Sequence, residues 1–187
     1  MKITKTEIDG LLILEPDVYG DKRGYFFEAY NKKRFEKFGL NFEFVQDNFS
    51  RSVKGTVRGL HYQVGEFAQE KLCEALYGKV LDVAVDIRFG SPTFGKYVAV
   101  ELSEDNHKQF WIPKGFAHGF SVLSDFAIFH YKVTNYYNKE SERGIIYNDK
   151  TLAIDWKVEK PILSEKDLKA KSFNEIEKDF VYQKGAQ

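Results

Sequence analysis

Apolar and polar residues alternate along most of the chain, and this period of two predicts short β-strands. In the clearest run, 79–88, four aliphatic residues lie on one face, while the opposite face includes Asp82, Asp86 and Arg88. Gly, Asn, Asp and Pro residues separate such runs and indicate turns. Nine further runs are predicted as strands: Leu11–Leu14, Arg23–Tyr30, Phe42–Asn48, Thr56–Gln63, Lys71–Tyr77, Tyr97–Leu102, Gln109–Ile112, Gly119–Leu123 and Ala127–Tyr137.

Many short strands at this spacing favour an all-β fold over an α/β fold, and specifically a cupin-like double-stranded β-helix (jelly roll). The chain shows no linker-like change in composition, no repeat and no low-complexity segment. A single domain over 1–187 is therefore predicted, with its core at about 11–137.

Helices are predicted to be short and peripheral. Asn31 is expected to cap a helix over Lys32–Phe38, whose two phenylalanines share one face. Near the C-terminus, Ser164 and Ser172 are each followed three residues later by an acidic residue, which is the capping-box pattern. A helical segment is therefore expected over about 164–182.

Composition narrows the classes of partner. Lys plus Arg equals Asp plus Glu at 28 each, so the net charge of zero predicts neither nucleic acid nor an anionic membrane as a partner. The N-terminus, MKITKTEIDG, is too polar for a signal peptide, and no apolar run reaches membrane-spanning length. A cytoplasmic protein is expected. Cys73 is the only cysteine, so no internal disulfide can form, and we interpret it as core packing.

Residues 56–71, TVRGLHYQVGEFAQEK, place four hydrogen-bonding side chains close together on two neighbouring strand candidates. They are Arg58, His61, Gln63 and Lys71. Burying such groups among apolar strands is costly unless they meet a ligand or one another. In period-two geometry Arg58 falls on the opposite face from His61, unless Gly59 marks a bulge that re-aims it.

Two further polar side chains lie in a strand candidate or directly before one, and their pattern alone leaves a structural role open. His118 shares a face with Phe116 and Phe120, which fits a hydrogen-bonded histidine at a strand edge. Tyr131 shares a face with neighbouring apolar residues, which fits a core tyrosine with an unassigned hydroxyl partner.

Eight motifs together resemble one family. They occur in the order and spacing of the dTDP-4-dehydrorhamnose 3,5-epimerase family and span Asp21 to Asp167: DKRGYFFEAYN, FVQDNFS, VRGLHYQ, QEKL, DVAVDIRFGSPTFG, WIPKGFAHGF, YKVTNYY and LSEKD. No single motif is decisive, but chance agreement of all eight is not a realistic alternative.

The resemblance implies a homodimeric jelly-roll enzyme that needs no metal or organic cofactor and acts on a dTDP-4-keto-6-deoxy sugar. By motif match, His61 is implied to be the general base, Asp167 its carboxylate partner and Tyr131 the general acid. Lys71 and Arg58 are implied to face the ketone of the sugar, with His118 nearby. Six further positions match those that bind the nucleotide, the diphosphate or the sugar: Arg23, Glu28, Gln46, Asn48, Glu142 and Lys166.

Two of these assignments leave an alternative open. Asp167 also fits the capping-box position after Ser164, which needs no catalysis. Glu142 lies in the polar loop NKESERG, where the alignment could slip to Glu140.

Three alternative functions stay open at this level. A metal-dependent cupin would need two or three clustered histidines with a carboxylate. The chain has four histidines, yet Gly59 and Gln63 occupy the positions two residues from His61. A protein that only binds sugar nucleotides has no need of a base and an acid. A C3-only epimerase shares the same base, acid and basic residues, so the sequence does not exclude it.

Overall fold

The alternating runs form two packed antiparallel sheets in the computed structural model, which describes residues 1–183. The strands are β1 (Lys2–Lys5), β2 (Leu12–Glu15), β3 (Val18–Asp21), β4 (Gly24–Phe27), β5 (Gln46–Val53), β6 (Val57–Gln63), β7 (Lys71–Tyr77), β8 (Lys79–Asp86), β9 (Tyr97–Ser103), β10 (Gln109–Ile112), β11 (Phe116–Val122), β12 (Phe126–Val133) and β13 (Glu142–Gly144). The helices are α1 (Lys32–Glu36) and α2 (Glu165–Leu168). No helix in this described part is long and apolar enough to cross a membrane.

The two sheets confirm the jelly-roll prediction. One sheet has six strands in the order β1-β2-β10-β7-β12-β5, and the other has five in the order β13-β6-β11-β8-β9. Each strand pairs antiparallel with its neighbours. The main core lies between the sheets, where Phe110 and Phe129 of the larger sheet meet Val100 and Phe120 of the smaller one.

The outer faces of both sheets are covered as well. Leu81, Val83 and Val85, the aliphatic face of β8, pack against Trp156 and Phe173 of the C-terminal segment. On the six-stranded sheet, a second cluster joins β2, β7 and β10 to α1 and the segment after it. Because both faces of β8 are buried, Asp82 points into the interior between the sheets, where it needs a polar partner.

Several predicted boundaries are wrong. Residues 42–45 form no strand, because Phe42 and Phe44 pack outside the sheet, where Phe42 stacks on Trp111 at 3.9 Å between ring centres. The last strand ends at Val133, and the polar residues after it leave the sheet. In α1, capped by Asn31 as expected, Phe35 is buried but Phe38 lies beyond the helix and is 49% exposed.

The C-terminal segment also differs from its prediction. Over 164–182 the structure has α2 and a single 3₁₀ turn, Phe173–Glu175, instead of a longer helical segment. Its apolar residues are spaced like a helix face, but they bury themselves one by one against the five-stranded sheet. Backbone bridges from Ile145 to Lys171 and from Phe89 to Val181 hold the segment extended.

The N-terminal strands pair within the chain, apart from a projecting ribbon. Strand β2 lies between β1 and β10, so both of its edges are paired within the chain. Strands β3 and β4 form a separate two-stranded ribbon whose large side chains are exposed: Val18, Tyr19, Tyr25 and Phe26.

Candidate active site

Polar side chains from both sheets line a cavity of about 530 Å³ at one end of the interior. The cavity brings together ten of the twelve residues implied as site residues: Gln46, Asn48, Arg58, His61, Lys71, His118, Tyr131, Glu142, Lys166 and Asp167. The six-stranded sheet contributes Lys71 and Tyr131, and the five-stranded sheet contributes His61 and His118. Groups from the two sheets therefore face each other across the space.

A bulge in β6 places Arg58 and His61 on the same face. His61 pairs with His118 and Arg58 pairs with Phe120, so two residues of β6 oppose one residue of β11 between these pairs. The extra residue reverses the alternation, as expected for a bulge at a glycine. Gly59 has a φ of +107°, which favours glycine. The conditional prediction for Arg58 is confirmed.

His61 makes a close pair with Asp167. The two groups are 2.5 Å apart, from His61 Nε2 to Asp167 Oδ1. Because an ionised carboxylate only accepts hydrogen bonds, Nε2 carries the hydrogen and Nδ1 keeps a free lone pair. Burial opposes ionisation of Asp167, but hydrogen bonds from His61 and Ser164 outweigh it and hold its pKa below the ordinary value.

The capping role and the histidine-partner role of Asp167 coexist. Its backbone N–H donates to Ser164 Oγ at the start of α2, and the Ser164 hydroxyl donates to Asp167 Oδ2. The other carboxylate oxygen, Oδ1, is thereby left for His61. The cap fixes the carboxylate that orients the imidazole, so the two roles belong to one arrangement.

A second histidine–carboxylate pair joins His118 of the cavity to Asp82, which is buried beside it. His118 Nε2 is 2.6 Å from Asp82 Oδ1, and both side chains are almost fully buried. On the other side of the ring, Lys71 Nζ lies 3.5 Å from His118 Nδ1, a long hydrogen-bond contact. Burial lowers the pKa of Lys71, and burial together with the Lys71 charge lowers the pKa of His118.

Tyr131 belongs to the core and to the cavity at once. Its ring packs against the main apolar cluster, while the residue also lines the cavity. Burial raises the pKa of its hydroxyl, and the nearby Cys73 and Glu142 raise it further. The hydroxyl therefore stays protonated near neutral pH and can donate a proton.

Polar groups at the rim form two small networks. Arg58 Nε donates to Ser52 Oγ at 3.1 Å, and the neighbouring Ser50 Oγ is buried without a hydrogen-bond partner among the described residues. Glu142 lies 2.5 Å from Lys166 Nζ and accepts from the Tyr137 hydroxyl at 3.0 Å. Glu142, and not Glu140, is thus the acid that lines the cavity.

Two implied residues lie away from the cavity in this chain. Arg23 is on the exposed ribbon, where its guanidinium pairs with Asp21. Glu28 pairs with Arg34 and accepts from Asn31 beside α1. The structure of one chain does not bring either of them to the other ten.

Sequence reasoning missed some of the groups that shape the cavity. Asp82 was placed on the mixed face of β8 but not assigned to the site, although a charge within an aliphatic strand signals a buried partner. Ser52 and Tyr137 gave no comparable signal, because serine and tyrosine are common on partly exposed strands and loops.

Among residues 1–183, one group of side chains has donor atoms close enough for a metal ion: Cys73, Asp82 and His118. The nitrogen and oxygen that would bind an ion are already 2.6 Å apart in a direct hydrogen bond. An ion held by both, at about 2.0–2.2 Å from each, requires them to separate. The ammonium of Lys71 beside the ring also repels a cation, so these residues do not fit a metal site as arranged.

Comparison with known proteins shows that the chain is similar to nucleotide-sugar epimerases. A sequence profile described as dTDP-4-dehydrorhamnose 3,5-epimerase matches residues 5–175. The dTDP-4-dehydrorhamnose 3,5-epimerase of Shigella flexneri is 56% identical over 174 residues, which cover 92% of this chain and 96% of that protein.

Two solved structures are similar over most of the chain. A dTDP-6-deoxy-D-glucose-3,5-epimerase from Legionella pneumophila Philadelphia 1, in complex with dTDP-4-keto-L-rhamnose, has a TM-score of 0.94 and 56% identity, covering 97% of this chain and 98% of that one. A 3′-monoepimerase from Streptomyces bikiniensis, in complex with dTDP-quinovose, has a TM-score of 0.86 and 31% identity, covering 90% and 86%.

Proposed function

The chain belongs to the dTDP-4-dehydrorhamnose 3,5-epimerase family, and we propose that it converts dTDP-4-dehydro-6-deoxy-D-glucose to dTDP-4-dehydro-L-rhamnose in dTDP-L-rhamnose biosynthesis. The observation that carries the proposal is one cavity in which a histidine on one sheet, paired with a carboxylate of α2, faces a tyrosine on the other sheet. Inversion of a carbon needs a base and an acid on opposite sides.

The substrate makes this chemistry accessible. C3 and C5 of the sugar both adjoin the C4 ketone, so removal of either proton gives an enolate whose negative charge rests on oxygen. Lys71 and Arg58 place cationic donors in the cavity. Donors aimed at such an oxyanion in a site that excludes water are worth about 3–4 kcal/mol of barrier.

His61 is the proposed base. The carbon-bound proton passes to the Nδ1 lone pair, and Asp167 stabilises the imidazolium that forms. An unperturbed histidine has a pKa of about 6.5, which suits proton exchange near neutral pH. Positioned acid–base groups of this kind contribute about 10²–10⁴-fold.

Tyr131 is the proposed acid. Its hydroxyl donates a proton to the face of the enolate carbon opposite His61, which inverts that carbon. The tyrosinate left behind is unstable at this position because burial raises its pKa, so it regains a proton from water. The histidine returns its own proton to solvent, and a second round at the other carbon completes the double inversion.

The remaining cavity residues are proposed to bind the rest of the substrate. Gln46, Asn48, Glu142 and Lys166 lie at the rim, where the nucleotide and diphosphate would extend. The diphosphate is anionic and the chain carries no net charge, so its affinity depends on local cations such as Lys166. His118 lies deeper, between Lys71 and Asp82.

A homodimer is proposed as the assembly. Arg23 and Glu28 were implied to bind the nucleotide, the diphosphate or the sugar but lie outside this chain's cavity, and the β3–β4 ribbon projects with exposed aromatic rings. Both facts fit a second copy whose ribbon approaches the cavity. Light scattering at micromolar concentration should give twice the mass of 21.7 kDa, and a monomeric mass would contradict the dimer.

The double reaction is favoured over inversion at C3 alone. The relatives described as 3,5-epimerases reach 56% identity, against 31% for the 3′-monoepimerase, although both share the fold. The decisive experiment incubates the protein with dTDP-4-dehydro-6-deoxy-D-glucose in deuterated water. Label at both C3 and C5 is expected. Label at C3 alone would indicate the monoepimerase, and no label would indicate a protein that only binds the sugar nucleotide.

A further inference from the structure

The buried pair of Asp82 and His118 has no part in the two proton transfers proposed above. Both side chains are nevertheless enclosed beside the cavity, with exposed fractions of 0% for Asp82 and 6% for His118. Enclosing a carboxylate costs several kcal/mol unless opposite charge and hydrogen bonds compensate it. Asp82 Oδ1 accepts from His118, but Oδ2 has no hydrogen-bond partner in residues 1–183. The compensating charge must therefore come from close by.

The carboxylate fixes the tautomer of His118. Since Asp82 only accepts, Nε2 must carry the hydrogen, and in the neutral ring Nδ1 is then an acceptor. That acceptor points at Lys71 Nζ, 3.5 Å away. A protonated ring would instead present an N–H to the ammonium and repel it. Burial, with the charges of Lys71 and His61, lowers the pKa of His118 by more than Asp82 raises it, which favours the neutral ring.

We propose that Asp82 is a positioning residue for the reaction: it holds His118 as an acceptor that aims the Lys71 ammonium at the ketone oxygen, and it supplies the counter-charge for that ammonium. From the interior outwards, the groups are the Asp82 carboxylate, the His118 imidazole, the Lys71 ammonium and the ketone oxygen of the substrate. No proton moves along this row during turnover. The inference rests on the proposed function, because it assigns Lys71 to the ketone.

The other charged and titratable groups near Lys71 do not replace this counter-charge. Burial lowers the pKa of Lys71, while Asp82, Cys73 and Glu142 raise it. Cys73 is a buried thiol whose own pKa is raised, so it is neutral. Glu142 is engaged by Lys166 and Tyr137. His61, Arg58 and Tyr131 also face the cavity, but none of them is an anion near neutral pH.

The test is Asp82→Asn, which keeps the shape of the side chain and removes its charge. A misplaced ammonium should lower kcat about 10- to 100-fold, with KM changed by less than about threefold. The alkaline limb of the kcat profile should also move to lower pH. The sign follows from Asp82 raising the pKa of Lys71: without it the ammonium loses its proton at a lower pH.

Asp86→Asn is the matched control. Asp86 is also fully buried on β8, four residues from Asp82, but its partners are Arg88, Ser91 and Thr93. None of these lines the cavity, whereas the partner of Asp82, His118, does. This variant should lose stability while keeping the kcat and pH profile of the wild type. A purely structural role for Asp82 predicts that both variants keep the wild-type pH profile, and that result would overturn the proposal.

A measurement on the unaltered protein covers the case in which Asp82→Asn fails to fold. Nitrogen-15 NMR of the histidine side chains at neutral pH should show His118 neutral and protonated at Nε2. A protonated ring or the Nδ1–H tautomer would overturn the proposal. Failure of the proposed function is seen separately, as absence of deuterium incorporation by the wild type.

Discussion

The two cavity histidines, His61 on β6 and His118 on β11, are cross-strand neighbours, and each is paired with a carboxylate. The two pairs differ in access to solvent. The His61 side chain is 30% exposed and its partner Asp167 is 5% exposed. The corresponding values for His118 and Asp82 are 6% and 0%. The chemical groups are the same, so the surroundings decide what each pair does.

The difference lies in the second ring nitrogen. For His61, Nδ1 makes no hydrogen bond within the described chain, so a substrate proton can reach it. For His118, Nδ1 already faces the ammonium of Lys71. The open pair, His61 with Asp167, can pass protons to and from solvent. The enclosed pair, His118 with Asp82, can only hold its neighbour in place. The comparison therefore assigns proton transfer to one pair and orientation to the other.

The largest effect that would test this division is expected from His61→Ala. Loss of the base should lower kcat about 10²–10⁴-fold, while the affinity for dTDP, measured by calorimetry, stays within about threefold. His118→Ala keeps the base, so it should still exchange deuterium beside the ketone at a reduced rate. If His61→Ala retains more than about a tenth of the wild-type kcat, the division is wrong.

Tyr131→Phe separates the two steps of inversion. His61 removes the proton to form the enolate, and Tyr131 protonates the opposite face. The ring keeps its packing on Phe129, and His61 and Lys71 remain, so the enolate should still form. Without the donor, His61 returns a proton to the original face, and exchange in deuterated water should exceed inversion about tenfold or more. Equal losses of exchange and inversion would show that Tyr131 is not the face-specific donor.

Disruption of the enclosed pair should lower stability more than disruption of the open pair, which is the opposite of the order expected for turnover. Removing Asp82 leaves an enclosed imidazole and ammonium without compensation, so Asp82→Ala should lower the free energy of unfolding by about 3–5 kcal/mol. Asp167→Ala loses a charged hydrogen bond at a half-open site and should cost about 1.5–3 kcal/mol. Urea denaturation at pH 7 measures both. A larger loss of unfolding free energy for Asp167→Ala than for Asp82→Ala would contradict the proposal that the more deeply buried pair contributes more to stability.

The smallest effect is expected from chelation. The enclosed pair and Cys73 have the donor atoms of a metal site, but a direct hydrogen bond and the Lys71 ammonium oppose an ion there. Prolonged treatment with a strong chelator should leave kcat unchanged. If activity falls and one divalent ion restores it, the enclosed pair is a ligand set and the orienting role is wrong.

The sequence predicted most of the sheet scaffold because the core strands alternate strictly. In β8 the two faces and the approximate ends followed from the period of two. Strand β11, in contrast, begins at Phe116, three residues before its predicted start at Gly119. The same rule failed where side chains pack outside the sheets. Phe42 and Phe44 alternate like a strand, yet they lie on Trp111 beside α1, and only the tertiary structure decides this.

The site was predictable as a set of residues and less so as a set of contacts. Motif resemblance gathered ten of the cavity residues from separated segments, which no local pattern could do. It left Asp167 with two competing roles, while the structure uses both oxygens of one carboxylate. Asp82 escaped assignment because the strand pattern marks a buried charge but does not identify its partner, which lies 36 positions away along the chain.

The bulge in β6 constrains how this enzyme can be engineered. Gly59 faces Gly119, and a Cβ on either residue would lie 2.6 Å from a carbonyl oxygen of the opposite strand. Libraries that diversify the strand should therefore hold both glycines and the strand length constant. Deleting one residue near Gly59 would restore strict alternation and turn Arg58 to the outer surface, while His61 stayed in place. The number of residues in β6, more than the identity of its side chains, then limits which new specificities can be reached by directed evolution at this strand.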